Sequence, residues 1–213
     1  MNRSDPKRPA LILASGSPQR QRLLEQAGYS HRVVLPSPHA ECGVCSRETP
    51  PELVARLAYQ KAADVFGQLA VAAPTAEILV ACDTVAECAG HILGKPAGRD
   101  HARTMLELLR GRVHHVYSGL CVWPLLGTPH VQVARTTLRM DTLSDAQIAE
   151  YLQSGLWEGK AGAFGYQDRA GWLHIEEGSE SNVIGLPLEL LGAMLATAAG
   201  EASGDGAGPA APL

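Results

Sequence analysis

The stretch at residues 80–96 (VACDTVAECAGHILGKP) constrains the fold of this chain more than any other. It continues an apolar run at residues 78–81 that is typical of a buried strand, and Asp83 and Thr84 stand at the end of that run. A glycine turn and a second short apolar run then lead to Lys95, a pattern that predicts a β-hairpin. Such a hairpin brings a carboxylate and an ammonium towards each other at strand ends. The pair either binds a metal and a phosphate or forms a plain surface ion pair.

A second candidate site lies where the first predicted strand meets the first predicted helix. Residues 10–15 (ALILAS) predict a short buried strand, and the helix begins with Ser17 as N-cap and Pro18 at its first position. This junction presents free backbone N–H groups and the positive end of the helix dipole, to which Ser15 adds a hydroxyl and Arg20 a guanidinium. It is either an anion-binding cradle or a well-capped helix with a solvated arginine.

A lysine occupies the apolar face of the next predicted helix, which begins at a capping box at residues 49–52. Lys61 follows Leu57 and Ala58 by four and three residues, so it lies on the same face as they do. A lysine in an apolar stripe either snorkels to the surface or points into a polar cleft. The alanines beside Lys61 leave room for its stem, which favours the cleft.

The rest of the chain predicts alternating helices and strands around one core. Further helices are predicted to begin near Arg99, Ser144 and Leu188, and further strands at residues 31–35, 113–123, 130–140 and 172–176. His114 and His115 face opposite sides of their strand, cannot easily share a ligand and are interpreted as structural. The glycine-rich segment at residues 155–171 predicts a long, ordered loop whose polar candidates are Lys160 and Gln167.

The length and charge of the chain narrow its class. With 213 residues, the chain suits one domain, predicted at residues 10–199 between a flexible N-terminus (1–9) and a low-complexity, disordered tail (200–213). A formal net charge of −4 argues against a non-specific nucleic-acid binder, and no apolar run is long enough to span a bilayer. The N-terminus does not resemble a signal peptide.

Five scattered cysteines indicate reduced thiols of a cytoplasmic protein. Cys42 and Cys45 form a lone CxxC pair without a second pair of ligands at a suitable spacing, so we interpret them as ordinary loop cysteines rather than a zinc or redox site.

Two familiar phosphate motifs are excluded. The segment GHILGKP at residues 90–96 resembles a P-loop only in its Gly-Lys pair, because its spacing is short by one and Pro96 stands where a Ser or Thr should bind Mg²⁺. The glycines at 159, 162 and 165 do not form the GxGxxG of a dinucleotide fold. Neither a Ser-His-Asp arrangement nor a cysteine-nucleophile signature is present.

Taken together, these segments resemble the Maf family of nucleoside triphosphate pyrophosphatases, from about Leu11 to Leu191. The resemblance is carried by LILASGSPQRQRLL, the loop Glu41, LAYQKA around Lys61, ACDTV, LGKP, KAGAFGYQ and SNVIGLPLE, in that order. It implies an α/β fold, a mixed twisted sheet with flanking helices and two lobes around a central cleft, similar to inosine triphosphatases. It also implies hydrolysis of a nucleoside triphosphate to the monophosphate and pyrophosphate in the cytoplasm with Mg²⁺, Mn²⁺ or Co²⁺, without nucleic-acid or membrane partners, in a possible homodimer.

The resemblance also implies roles for particular residues. Asp83 corresponds to the proton acceptor of the family, and Glu41 and Asp83 correspond to the acidic residues near the metal. The phosphate-binding set would be Ser15, Ser17, Arg20, Lys61 and Lys95.

Specificity follows from three further positions. Thr84 and Gln167 match the branch of the family that prefers dTTP and UTP, whereas Gln19 replaces an arginine of that branch. A broad-specificity pyrophosphatase is therefore an alternative. An alternative of another class is a non-catalytic, nucleotide-binding regulator of cell division.

Overall fold

The computed structural model describes residues 8–41, 48–69, 76–168 and 171–203. For residues 41 and 201–203 it describes the backbone alone. The seven strands, numbered in chain order, are β1 (Leu11–Leu13), β2 (His31–Val33), β3 (Ile78–Cys88), β4 (His91–Leu93), β5 (Val113–Pro124), β6 (His130–Met140) and β7 (Leu173–Glu177). The α-helices are α1 (Pro18–Gln26), α2 (Pro50–Leu69), α3 (Arg99–Leu109), α4 (Asp145–Gln153), α5 (Glu180–Ile184) and α6 (Leu188–Ser203).

The strands form one mixed sheet in the order β2-β1-β3-β5-β6-β7, with β4 paired to β3. The β1 strand is parallel to both β2 and β3, whereas the other pairs are antiparallel. Helices pack on the sheet, as expected for an α/β chain. The predicted fold class, a mixed sheet with flanking helices, is therefore confirmed.

The largest differences from the predicted boundaries are at three places. The β3 strand does not end near Asp83 but continues to Cys88, because Ala86 and Cys88 bury side chains beneath the second half of the sheet. The segment before the last helix contains the short helix α5, begun by the N-cap Ser179. The α6 helix continues to Ser203, whereas residues 204–213 of the predicted tail lie outside the described residues.

The middle of β3 has an open edge among the described strands. The β1 strand pairs with β3 only as far as Val80, and β4 pairs with it only from Ala86 onwards. Residues 81–85 therefore face a gap between two partner strands, while their other edge is paired with β5 throughout. Asp83 and Thr84 lie in this gap.

The gap also separates two of the buried clusters of the core. On one side, β1, α1 and α6 bury a cluster that reaches Cys82 on β3. On the other side, α3, α4 and the glycine-rich segment bury a cluster that begins at Ala86. The two clusters account for the two lobes, which are joined by the long strands β3 and β5.

One glycine allows α2 to lie directly across the sheet. Gly119 of β5 is paired with Asp83, and a Cβ built on it would stand 2.0 Å from the carbonyl oxygen of Val54. Only a residue without a side chain permits this approach of helix to strand. The approach brings Lys61, two turns further along α2, over Asp83.

Among the described residues, no helix combines the length and the apolar character needed to cross a membrane. Cys82, Cys88 and Cys121 are buried free thiols. Cys42 and Cys45 lie outside the described residues.

Candidate active site

A cleft of about 530 Å³ opens at the unpaired edge of β3. It is lined by the predicted residues whose side chains the structure describes: Asp83, the phosphate-binding set Ser15, Ser17, Arg20, Lys61 and Lys95, and the specificity set Gln19, Thr84 and Gln167. The side chain of Glu41 lies outside the described residues, although its backbone closes a 3-10 helix at Pro38–Glu41. Residues that are as far apart in sequence as 15 and 167 thus meet in one place.

The predicted acid is held by a lysine. The Nζ of Lys61 lies 2.6 Å from Oδ1 of Asp83. Lys61 is only 5% exposed. Its aliphatic stem lies in the core beside α2, and its ammonium lies in the cleft. The hairpin was predicted to bring Lys95 towards Asp83, and the ion pair that Asp83 forms is with Lys61 on α2.

The start of α1 forms the second wall. The Oγ of Ser17 accepts a hydrogen bond from the backbone N–H of Arg20 at 3.5 Å, and Pro18 occupies the first turn, as predicted. Ser17 also donates to Oε1 of Gln19 at 2.9 Å, while its backbone N–H donates to Oγ of Ser15. These bonds order the start of α1, whose positive end favours an anion.

Arg20 joins three separate segments behind this wall. Its Nε donates to the carbonyl oxygen of Gly185 at 2.8 Å, and its other two nitrogens donate to Oγ of Ser15 and Oγ1 of Thr84 at 3.1 and 3.2 Å. Thr84 is itself held by Ser118 on β5 at 2.8 Å. Arg20 was expected only as a phosphate ligand, and the structure adds that it fixes the walls of the cleft to one another.

Lys95 reaches the cleft from the β3–β4 hairpin. It follows β4 by two residues, and the pairing of Leu93 with Ala86 brings it beside the open edge of β3. The carbonyl of Gly94 is fixed by the N–H of Gly162 at 3.1 Å. Lys95 is exposed, and it forms no ion pair with any residue that the structure describes. Its ammonium is available to an anion that enters the cleft.

The glycine-rich segment forms the outer wall, held by an internal ion pair. The Nζ of Lys160 contacts both carboxylate oxygens of Asp168, at 2.6 Å for Oδ2, and the hydroxyl of Tyr151 on α4 donates to the same oxygen. Burial, with Asp168 alongside, raises the pKa of Tyr151 far above its usual range, so it remains a donor. A Cβ on Gly165 would stand 2.8 Å from Nζ of Lys160 and 2.9 Å from Nε2 of Gln167. The glycine therefore allows both side chains to approach the loop backbone.

One end of the cleft is apolar and contains a residue whose contribution to the site we did not predict. Leu109, Val116 and Phe164 line it and belong to one apolar cluster, and His114 also lines the cleft. The sequence interpretation treated His114 as structural. His114 lies two residues from Val116, so the two side chains are on the same face of β5. In the pairing of β3 with β5, this face also carries Thr84 and Ala86. Knowledge of that pairing would have placed His114 near the cleft.

The donor set of the cleft fits a divalent cation that also binds phosphate. Asp83 and Glu158 contribute carboxylates to its lining. Among the described side chains, no group of three or more His, Cys, Asp or Glu residues could hold a metal unaided. Mg²⁺ typically binds through one or two protein carboxylates together with substrate phosphates and waters, so a three-residue cage is not required.

The fold and the cleft define an α/β protein whose central cleft suits a polyanionic ligand. A family model described as Maf-like protein matches residues 10–198. This chain therefore belongs to the family of Maf-like proteins, as the resemblance implied.

Its relatives include proteins named dTTP/UTP pyrophosphatase. The one from Rhodopirellula baltica is 55% identical over 192 residues, which cover 89% of this chain and 82% of that protein. The one from Sphingopyxis alaskensis is 41% identical over 181 residues, which cover 84% of this chain and 92% of that protein. Among solved structures, the Ham1 protein of Staphylococcus aureus is similar over 90% of this chain and 99% of that chain, with 10% identity and a TM-score of 0.49.

Proposed function

We propose that this protein is a nucleoside triphosphate pyrophosphatase that hydrolyses dTTP, UTP or modified pyrimidine triphosphates to the monophosphate and pyrophosphate, a house-cleaning activity. The observation that carries the proposal is the convergence of Asp83 with Lys61, Lys95 and the α1 N-terminus in one cleft. The names of the related proteins point to the same substrates.

The cations would act on the charge of the triphosphate. Lys61, Lys95 and the positive N-terminus of α1 would neutralise phosphate oxygens, so that a water can approach the α-phosphorus. The oxygen of that water forms a bond to phosphorus, and the bond from phosphorus to the bridging oxygen breaks. Pyrophosphate leaves with the bonding electron pair.

Asp83 would orient the attacking water and accept its proton. When a phosphate draws the ammonium of Lys61 away, the carboxylate is left facing the cleft with a free oxygen. A free aspartate is a weak base towards bulk water. A divalent cation held by Asp83, and by Glu41 as the resemblance implies, would supply the additional acidity when bound.

A panel of triphosphates tests the proposal. The protein is incubated with UTP, dTTP, CTP, GTP and ATP in the presence of Mg²⁺, Mn²⁺ or Co²⁺, and pyrophosphate is measured. We expect release from UTP and dTTP, and a loss of about 10²-fold or more in Asp83→Asn. The matched control is Asp141→Asn, which changes the same group in an exposed ion pair with Arg139 and should leave turnover unaltered. Absence of pyrophosphate with every nucleotide, or equal turnover by Asp83→Asn, contradicts the proposal.

Gln19 supports a broader specificity as the second candidate. Its Oε1 accepts from Ser17 at the edge of the cleft, where an arginine could not accept at all. In the same panel, similar kcat/KM values for purine and pyrimidine triphosphates favour broad specificity. If Gln19→Arg raises kcat/KM for UTP relative to the other triphosphates, Gln19 is responsible for the broad specificity. Tight nucleotide binding in calorimetry without any product would instead support a binding protein.

A further inference from the structure

The apolar end of the cleft has the character of a compartment for a planar ring. Leu109, Val116 and Phe164 supply its walls, and Gly162 lies so close to Ala86 that a Cβ there would stand 3.2 Å from its methyl group. Such a space favours an apolar or aromatic moiety and penalises a polar one that finds no partner. It suits the base of the nucleotide, with the triphosphate at the polar end.

His114 brings one polar atom into this compartment. His114 is only 4% exposed, yet it lines the cleft. The ring Nδ1 lies 3.5 Å from the carbonyl oxygen of Arg112, an acceptor to which only a ring N–H can donate. No described residue bonds to the ring Nε2. The Nε2 atom is not fully enclosed, so it is open to the cleft.

The protonation state of His114 follows from its surroundings. Burial lowers its pKa to about 4, so the ring is neutral at neutral pH. We assign the single proton of the neutral ring to Nδ1, which lies 3.5 Å from the carbonyl oxygen of Arg112, so that Nε2 carries a lone pair. The compartment thus presents a hydrogen-bond acceptor to whatever ring enters it.

His114 is too far along the sheet to serve the phosphate chemistry. It lies five residues along β5 from Gly119, the residue paired with Asp83, which corresponds to about 16 Å along the strand. A group at that separation contacts the end of a nucleotide that is remote from the scissile bond.

On the basis of the proposed function, we propose that His114 is a specificity-determining residue that accepts a hydrogen bond from the N3–H of a keto pyrimidine. Uracil and thymine carry a donor at N3, whereas cytosine carries an acceptor there. Cytosine would place two lone pairs against each other. A buried polar atom without a partner is expensive, so the contact rejects cytosine more strongly than it attracts uracil.

The first experiment measures a ratio rather than an activity. His114→Phe keeps a ring of similar size and removes the acceptor. We expect the ratio of kcat/KM for UTP to that for CTP to fall by about 10-fold or more. His114→Gln, which restores an acceptor, should recover part of that ratio. The matched control is His115→Phe, because His115 faces the other side of β5 next to Thr137 and should leave the ratio unchanged.

The second experiment uses the unaltered protein and does not depend on the folding of any variant. A UTP analogue methylated at N3 lacks the donor, and we expect its kcat/KM to be lower than that of UTP by about 10-fold or more. Equal turnover of the two compounds, or an equal fall for UTP and CTP in His114→Phe, overturns the inference. Failure to hydrolyse any triphosphate would instead refute the proposed function, so the two failures are distinguishable.

Discussion

Arg20 illustrates how a single side chain can serve both the fold and the site. It contacts Ser15, Thr84 and Gly185, which lie before α1, on β3 and after α5. Three of its five N–H donors are thereby committed, and the others remain for an anion at the α1 N-terminus. A guanidinium can join three segments in one plane, whereas an ammonium is a point charge.

Replacement of Arg20 by lysine should therefore destabilise the protein even though the charge is kept. We expect Arg20→Lys to lose about 2 kcal/mol of unfolding free energy, because hydrogen bonds from a charged donor are lost to partly buried acceptors. Urea denaturation followed by circular dichroism measures this loss. Unchanged stability would mean that the three contacts contribute nothing to the fold.

The two predicted lysines should behave differently from each other. Lys61 is buried and paired with Asp83, so Lys61→Met leaves a half-buried carboxylate without that partner and should cost about 2 kcal/mol as well as activity. Lys95 is exposed, so Lys95→Met should raise KM for triphosphates and leave stability within about 0.5 kcal/mol. Thermal unfolding and steady-state kinetics of both variants test this contrast. Equal destabilisation would contradict it.

Among the helices and strands, local signals in the sequence were sufficient to predict most boundaries to within a few residues. The caps at Ser17 and Ser144 occur where predicted, and the hairpin formed by β5 and β6 has the expected antiparallel pairing. Their causes act within a few residues, so a single sequence reveals them.

The gap in the edge of β3 and the pairing of Asp83 with Lys61 could not be predicted in this way. Both depend on which strands become neighbours, and β1 and β3 are more than 60 residues apart in the chain. That His114 lines the cleft was not predicted for the same reason. Its place in the cleft follows from the register between β3 and β5, which no local pattern contains.

The crossing of α2 over the sheet gives a sharp prediction for Gly119. A methyl group there would overlap the carbonyl of Val54, so Gly119→Ala must displace α2 and should cost about 3 kcal/mol or prevent folding. The control is Gly192→Ala on α6, where nothing lies within 4 Å of the added carbon. That change should be neutral or stabilise by up to about 1 kcal/mol. Equal denaturation midpoints for the two variants would contradict the crossing.

For the molecule as a whole, His114 makes stability depend on pH in mildly acidic solution. Its pKa is about 4 in the folded protein and 6.5 in an unperturbed chain, so below pH 6.5 the unfolded state binds the additional proton. Stability is therefore complete above pH 6.5 and falls as the pH decreases towards 4, by about 3 kcal/mol in total. His115 and Glu87 are the nearby ionisable groups.

A second contribution is lost only in stronger acid. Hydrogen bonds from Ser37 lower the pKa of Asp64, and hydrogen bonds from His174 and Arg139 lower that of Asp141. These carboxylates stabilise the fold above their ordinary pKa values, and that contribution disappears as they are protonated at lower pH. Urea titrations at pH 7.0, 5.5 and 4.5 separate the contribution of His114 from that of the carboxylates. In His114→Phe, the decrease in unfolding free energy between pH 6.5 and 4.5 should be smaller. An identical pH dependence in that variant would show that His114 is not the cause.

In the proposed reaction, the cleft directs water to the α-phosphorus of a triphosphate. Hydrolysis of UTP in water enriched in ¹⁸O, followed by mass spectrometry of both products, tests it directly. We predict one ¹⁸O atom in UMP and none in pyrophosphate, because the bond that forms is to the α-phosphorus. Label in pyrophosphate, or products that are UDP and orthophosphate, would contradict the account.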